Sequence, residues 1–366
     1  MNEKIETGDG TTSISRTEGS GLVPHVRGVD LFCGAGGLTK GLKAAGVDVR
    51  LGVDLDPHCE YPYQVNNRAR FLLKSVEELC NSDLSEYFCG EGYNLLAGCA
   101  PCQPFSAYQR GHYEPSDDRW NLLQHFSRLV AETQPDIVTM ENVPRLEQQD
   151  VFTGFVGALE ARGFFVSHQV INCADYGVPQ QRNRLVLIAS RHAPIELIKP
   201  TTPEGKRKTV RKAIGSLPRL GAGEACESDP LHQASGLSEL NFRRIRASRP
   251  GGTWRDWDEE LIAACHKKPT GKTYPSVYGR MTWDEPAPTM TTQYYGFGNG
   301  RFGHPEQDRA ISLREGAILQ SFPKPGVLLL HVLQPLGLIN LEAAILLTPS
   351  VVSLFGHADR LSRHGN

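Results

Sequence analysis

Val29-Asp30-Leu31-Phe32-Cys33-Gly34-Ala35-Gly36-Gly37 sets a short apolar run against a glycine turn, and the helical pattern from Leu38 to Ala45 that follows it is closed by Gly46. The order is strand, turn, helix. A second strand, Val47 to Val53, ends at Asp54, twenty residues after Gly34. In dinucleotide-type folds small residues let the backbone approach a ligand at the turn, and an acid at the end of the second strand takes the ribose hydroxyls. Thr39 stands where that fingerprint has its third glycine. A glycine turn also serves simply to pack a helix on a strand, so the motif alone leaves both readings open.

The alternation continues downstream. Asn94 to Ala97 reads as a strand, Leu122, Leu123, Phe126, Leu129 and Val130 share one helical face, and Ile137 to Met140 reads as the next strand. A helix from Val151 to Ala161 and strands near Phe165 to Ile171 and Leu185 to Ala189 complete the set. Repeated βα units predict an α/β chain with a mostly parallel, Rossmann-like sheet covered on both faces. Ligands of such sheets sit beyond the carboxyl ends of the strands, which singles out the residues just after each one.

Composition bounds the remaining classes. The 366 residues predict two domains, and 39% hydrophobic with 22% charged residues is a globular profile that excludes collagen-like, coiled-coil and wholly disordered chains. The net charge of -2 announces no nucleic-acid partner. Residues 199–280, however, carry 16 Lys plus Arg against 9 Asp plus Glu, with clusters at 206–208, 211–212, 243–246 and 267–268 interleaved with Trp254, Trp257 and Tyr274. One such cluster is ordinary solvated surface; four in one segment predict a phosphate-facing module. Nine cysteines without a signal peptide point to a reducing, intracellular compartment. Residues 1–24 read as a disordered leader. The run from Val327 to Phe355 has Glu342 as its one formal charge, but Pro335, Asn340 and Pro349 interrupt it, which favours buried helices over a membrane span.

Four segments follow the strands in order: 30–37 at the glycine turn, Pro101-Cys102-Gln103-Pro104-Phe105-Ser106, Glu141-Asn142-Val143, and Gln180-Gln181-Arg182-Asn183-Arg184. In this order they resemble the DNA (cytosine-5)-methyltransferases, from about Val29 to Pro323. The resemblance implies transfer of a methyl group from S-adenosylmethionine to cytosine in duplex DNA, a bacterial cytoplasmic location, a monomer, and a cognate restriction endonuclease as a possible partner.

Carbon 5 of cytosine is a poor nucleophile, so enzymes of that family add a thiolate to carbon 6 and let the resulting enamine attack the methyl. Cys102 matches the thiol. A free thiol of pKa about 8.5 is only a few per cent ionised at neutral pH, and a neighbouring cation such as Arg182 raises that fraction. A structural or redox Cys99-x-x-Cys102 pair is the rival reading, and no second pair at zinc spacing accompanies it. Glu141 matches the glutamate that bonds N3 and the amino group of the extruded base. Keeping a carboxyl of pKa about 4.3 protonated at pH 7 costs about 3.7 kcal/mol, within reach of burial. An ordinary acid at a helix start is the bland alternative. Asn142 orients the loop, Arg184 matches the reader of the cytosine O2, and Arg182 lies near the thiol and target phosphate; the stretch from Ser106 to Asp118 resembles a closing loop.

For the cofactor, the resemblance assigns Phe32, Gly34, Ala35, Gly36 and Gly37 to the turn and Asp54 to the ribose. Leu55, Ser75, Val76 and Pro101 complete the set; Ser75-Val76 stands where the family has an Asp for the adenine. No metal is expected. The domain division is 25–195 catalytic, 196–275 target recognition, 276–323 a return to the catalytic domain, and 324–366 an atypical tail. The family ends with a Gly-Asn-Ala-Val helix, which residues 324–347 lack although Thr348-Pro349-Ser350-Val351-Val352 again resembles it. Divergence and an altered reading frame both account for this. A catalytically impaired DNA-binding relative and an RNA cytosine-5 methyltransferase are the two alternative functions.

Overall fold

The computed structural model describes residues 25–101, 121–272, 274–275 and 277–322. The leader, Cys102, the 106–118 loop and the 324–366 tail lie outside the described residues. A seven-stranded sheet runs in the order β3-β2-β1-β4-β5-β7-β6. Its strands are β1 Val26–Leu31, β2 Asp48–Asp54, β3 Arg70–Leu73, β4 Tyr93–Gly98, β5 Ile137–Asn142, β6 Phe165–Asn172 and β7 Asn183–Ser190. β1 to β5 are mutually parallel, and β7 lies antiparallel between β5 and β6. The short 173–182 connection from β6 to β7 contains no crossover α-helix, so the chain can only turn back on itself there.

The strand order reverses at β1 and β4. Connections from β1 lead outward to β2 and β3, and those from β4 lead the other way, leaving a crevice beyond the carboxyl ends of β1 and β4. The glycine turn and the Cys99 to Pro101 segment open into that crevice.

Period-two alternation assigns the faces. Val29 and Leu31 of β1, Leu96 of β4, Val138 and Met140 of β5, and Leu185, Leu187 and Ala189 of β7 pack in one core with Phe126 and Leu129 of the helix Asn121–Thr133 and Phe152 and Phe155 of the helix Asp150–Glu160. The residues between them, Leu95 and Ala97, Ile137, and Val186 and Ile188, pack in a second core with Leu38 and Leu42 of the helix Gly37–Ala44. Both faces of the sheet are therefore covered, as the near-continuous apolar strands require. No described helix is long and apolar enough to cross a membrane.

The position of Thr39 has a packing reason. Its backbone N–H and hydroxyl both donate to the Asp30 carboxylate, at 3.1 and 2.7 Å, and the hydroxyl lies 2.9 Å from that of Tyr63. A glycine could make only the first of these bonds. The third strand, for which the sequence offers no clear range, ends at Leu73, with Ser75 and Val76 just beyond it. The amphipathic signal there is weak because β3 is an edge strand whose four residues are all at least partly exposed.

A second lobe follows β7. Val210 and Ile214 pack with Met290, Tyr294, Phe302 and Leu319, while Ile245, Trp254, Trp257 and Leu261 pack with Phe297 and Ala310. Trp254 and Trp257 are only 5% and 6% exposed, so the tryptophans that the sequence interleaves with basic residues fill this core instead of offering a face to a base. Many of the arginines are paired as well: Arg211 with Asp284, Arg243 with Glu260, Arg246 with Asp308 and Arg249 with Asp256. Acids at 284 and 308 lie outside the segment whose charge was counted, which lowers its free positive charge. A two-stranded hairpin, β8 Ala225–Cys226 and β9 Asp229–Gln233, docks on the helix Leu313–Leu319 through a bidentate Arg314–Asp229 pair at 2.5 and 2.9 Å. Leu231 and Ala317 there pack against Ala35 of the glycine turn.

Candidate active site

The glycine turn begins where β1 ends. Phe32 has φ 56°, in the left-handed region, which a bulky side chain adopts at a cost. Gly34 donates its N–H to Asp54 Oδ2 at 2.9 Å, and Asp56 donates its own to Asp54 Oδ1 at 3.0 Å, so the acid at the end of β2 is fixed to the turn. Its oxygens keep lone pairs for further donors. Leu55, next in the chain, is 67% exposed. Pro101 is exposed across the crevice, Ser75 is half-buried and Val76 is buried. An acid beside exposed apolar surface at a switch point fits a ligand with a hydroxyl-bearing sugar and a flat apolar base, so the residues assigned to the cofactor are compatible with a nucleoside.

Gly36 is the residue this turn can least exchange. It has φ 88°, and a Cβ there would stand 2.0 Å from Asn67 Nδ2 and 2.8 Å from the Tyr63 ring. Gly36→Ala is expected to cost about 1–3 kcal/mol of stability through left-handed strain and overpacking, and to weaken cofactor binding. Chemical denaturation and titration calorimetry measure the two.

Beyond the other strands the residues converge. Parity places Cys99 after β4, Glu141 in β5 and Arg184 in β7 on the same face of the sheet, the face of Leu95, Ala97, Val186 and Ile188. Arg184 makes an ion pair with Glu141, and the side chains of both are nearly buried. The Cys99 thiol lies beside the same carboxyl, its neighbour across the β4–β5 ladder on the same face. Burial raises Glu141 above the ordinary carboxyl range, against the opposing pull of Arg184 and of the Cys99 thiol. Glu141 lies within a strand, which removes the helix-start reading.

Asn142 points to the opposite face and ties two strands together. Its Nδ2 donates to the Ala100 carbonyl at 3.0 Å, and its Oδ1 accepts from Val143 N–H at 2.8 Å. The peptide two residues before Cys102 is thereby held to the end of β5. Arg182 is buried, with Nη1 donating to the Met290 carbonyl at 3.2 Å. Gln180, which opens the motif entering β7 and carried no role of its own in the sequence reading, is wholly buried and accepts from Met290 N–H at 2.9 Å. Together with Gln181 N–H to Ala287 O at 2.8 Å, these bonds fasten the 287–290 stretch to the loop before β7.

The structure thus brings together Glu141, Asn142, Arg184 and the peptide leading to Cys102, and across the crevice Phe32 to Gly37, Asp54 and Leu55. Sequence reasoning passed over Asp30. It is fully buried, and burial pushes its carboxyl up to about 7. The Thr39 departure was the available signal, since a hydroxyl facing a strand-end acid invites a hydrogen bond.

The family model for C-5 cytosine-specific DNA methylase matches residues 26–325. The Type II methylase M.HgiDII of Herpetosiphon aurantiacus is 54% identical over 300 residues, 81% of this chain and 84% of that protein. The Type II methyltransferase M1.HphI of Haemophilus parahaemolyticus is 33% identical over 314 residues, 82% of this chain and 78% of that protein. Among solved structures, a DNA modification methyltransferase encoded within an E. coli prophage superposes with a TM-score of 0.66 at 21% identity, covering 91% of this chain and 99% of that one; at that identity the likeness concerns the fold.

Proposed function

The chain belongs to the C-5 cytosine-specific DNA methylase family, and from that premise we propose that it methylates carbon 5 of a cytosine extruded from a specific duplex DNA site, through a covalent bond from Cys102 to carbon 6. The observation that carries this reading is the buried Glu141 carboxyl, raised by burial, beside a peptide that Asn142 fixes just ahead of Cys102.

The Cys102 thiolate adds to C6, breaking the C5–C6 π bond, while Glu141 gives a proton to N3 so that the ring gains no net negative charge. When bound, S-adenosylmethionine supplies a methyl group on a sulfonium sulfur, the electrophile that the C5 enamine carbon takes. Loss of the C5 proton to a base, with return of the N3 proton to the Glu141 carboxylate, then expels the thiolate and restores the neutral aromatic ring. Arg184 orients Glu141, and on this reading passes part of its hydrogen bonding to the cytosine O2 when the base arrives. Phe32 to Gly37, Asp54, Leu55, Ser75, Val76 and Pro101 are the residues we assign to the cofactor.

The two relatives are named Type II enzymes, and we extend that setting to this chain: an intracellular bacterial modification enzyme whose site a cognate endonuclease also reads. Residues 196–275 are assigned to target recognition.

Glu141→Gln tests the proton step. The amide can donate a hydrogen bond to N3 but cannot transfer a proton, so transfer of labelled methyl to duplex DNA is expected to fall roughly a hundredfold or more, with the fold intact by circular dichroism. Running the parent chain on duplex DNA and on tRNA addresses the alternatives: label in tRNA alone selects the RNA reading, and DNA binding without transfer to either selects the impaired relative.

A further inference from the structure

The half-buried thiol at Cys99 has no part in the proposed steps, yet it lies beside the residue on which they depend. β4 and β5 are parallel with Gly98 opposite Met140, so the next residues, Cys99 and Glu141, are neighbours across the ladder. Parity puts both side chains on the face of Leu95 and Ala97. The Cys99 thiol and the Glu141 carboxyl are thus side by side, and Arg184 reaches that carboxyl from β7. Cys99 is therefore placed beside Glu141, three residues before the proposed nucleophile.

We propose that Cys99 is a positioning residue for Glu141: its S–H donates to the carboxyl and, with Arg184, fixes the orientation in which Glu141 meets the base. The inference rests on the assignment of Glu141 to the base. Burial and the Glu141 charge keep Cys99 well above the ordinary thiol range, so it stays S–H and remains a donor at neutral pH. Among the described residues, the titratable and charged groups around Glu141 are Arg184 from β7, Cys99 from β4 and Cys173 from the turn after β6, with Asp30 from β1 acting on Cys99. A donor to the carboxylate favours its charged form. Removing it must raise the Glu141 titration midpoint further, and a hydroxyl in its place must restore that midpoint.

The test is an isotope-edited infrared titration of the Glu141 carboxyl in the full, cofactor-free chain, with Glu141→Gln as the subtraction control, for the parent, Cys99→Ala and Cys99→Ser. The expected result is a midpoint moved to higher pH in Cys99→Ala and returned toward the parent value in Cys99→Ser. In methyl transfer, kcat falls in Cys99→Ala with the KM for DNA little changed, the alkaline limb of the pH profile moves the same way, and Cys99→Ser recovers both. Identical midpoints in the three proteins, or a Cys99→Ser that behaves as Cys99→Ala, would overturn the proposal. The infrared arm needs no catalysis, so a parent chain that fails to methylate DNA would refute the functional reading while leaving the Cys99–Glu141 contact to be judged by its own result.

Discussion

Cys102→Ala is expected to lower methyl transfer at least roughly ten-thousandfold, the size seen when a covalent nucleophile is removed from an otherwise intact site, with little change in affinity for duplex DNA. The reason is chemical. Without addition at C6 there is no enamine, and C5 stays part of an aromatic ring that does not attack a methyl group. The surrounding parts remain: Asn142 still holds the Ala100 carbonyl, Arg184 still pairs with Glu141, and Arg182 still bonds Met290. Cys102→Ser should not rescue the loss, because a hydroxyl ionises far less readily than a thiol near neutral pH. Single-turnover assays with labelled cofactor, beside a DNA gel-shift, separate chemistry from binding. A mutant that retains a tenth of the parent rate would remove Cys102 from the mechanism.

The second large effect concerns stability. Arg309 and Glu315 form a bidentate pair at 2.7 and 2.8 Å with both side chains within 1% of full burial. Glu315 also accepts from Ser312 N–H at 2.7 Å at the start of the helix Leu313–Leu319, the helix against which Leu231 and the glycine turn pack. Arg309→Ala leaves a buried carboxylate without its cation and is expected to cost about 3–5 kcal/mol, measured by denaturant unfolding at pH 7. Acid should act on the same place. Burial disfavours the Glu315 charge, but Arg309 outweighs it and holds the carboxyl below its usual range. Its contribution is therefore present above an unfolded pKa of about 4.3 and is lost as pH falls through the folded value. Burial holds neighbouring His304 down to about 4, against an ordinary 6.5, so the unfolded chain binds that proton first and stability declines between those two values as pH falls. Both groups act in the same direction. Asp30, whose buried carboxyl is raised to about 7, contributes in the opposite sense over the same range, so the test is the difference between the parent and His304→Gln: the parent should lose stability relative to the variant as pH falls from about 6.5 to about 4, and a difference that stays flat would contradict the buried, neutral His304.

The sheet was legible because its strands are buried on both faces: apolar runs at β1, β2, β4, β5 and β7 carry the pattern without tertiary help, with a glycine turn or polar motif after β1, β4 and β5 and one entering β7. β3 was not, since an exposed edge strand of four residues has no apolar period to read. The grouping of the site followed from the same strand ends, and Glu141 and Arg184 indeed meet. What the sequence could not carry was register. Cys99 becomes a partner of Glu141 only once Gly98 is known to face Met140, and Trp254 and Trp257 change from surface candidates to core once Phe297 and Ala310 are folded onto them. The charge excess of 199–280 likewise could not be weighed from that segment alone, because acids that pair with Arg211 and Arg246 come from positions 284 and 308. The family match ends at residue 325, just where the sequence departs from the family pattern.

The most direct measurement is a covalent trap. A duplex containing the recognition site with 5-fluorocytosine as the target lets C6 addition and methyl transfer proceed but leaves no C5 proton to remove, so the thiol cannot be expelled. Incubated with the chain and S-adenosylmethionine, it should yield a denaturation-resistant protein–DNA complex whose modified peptide, by mass spectrometry, carries the nucleotide on Cys102. A chain that methylates the unmodified cytosine duplex yet forms no such complex, or forms it on Cys99, would contradict the account.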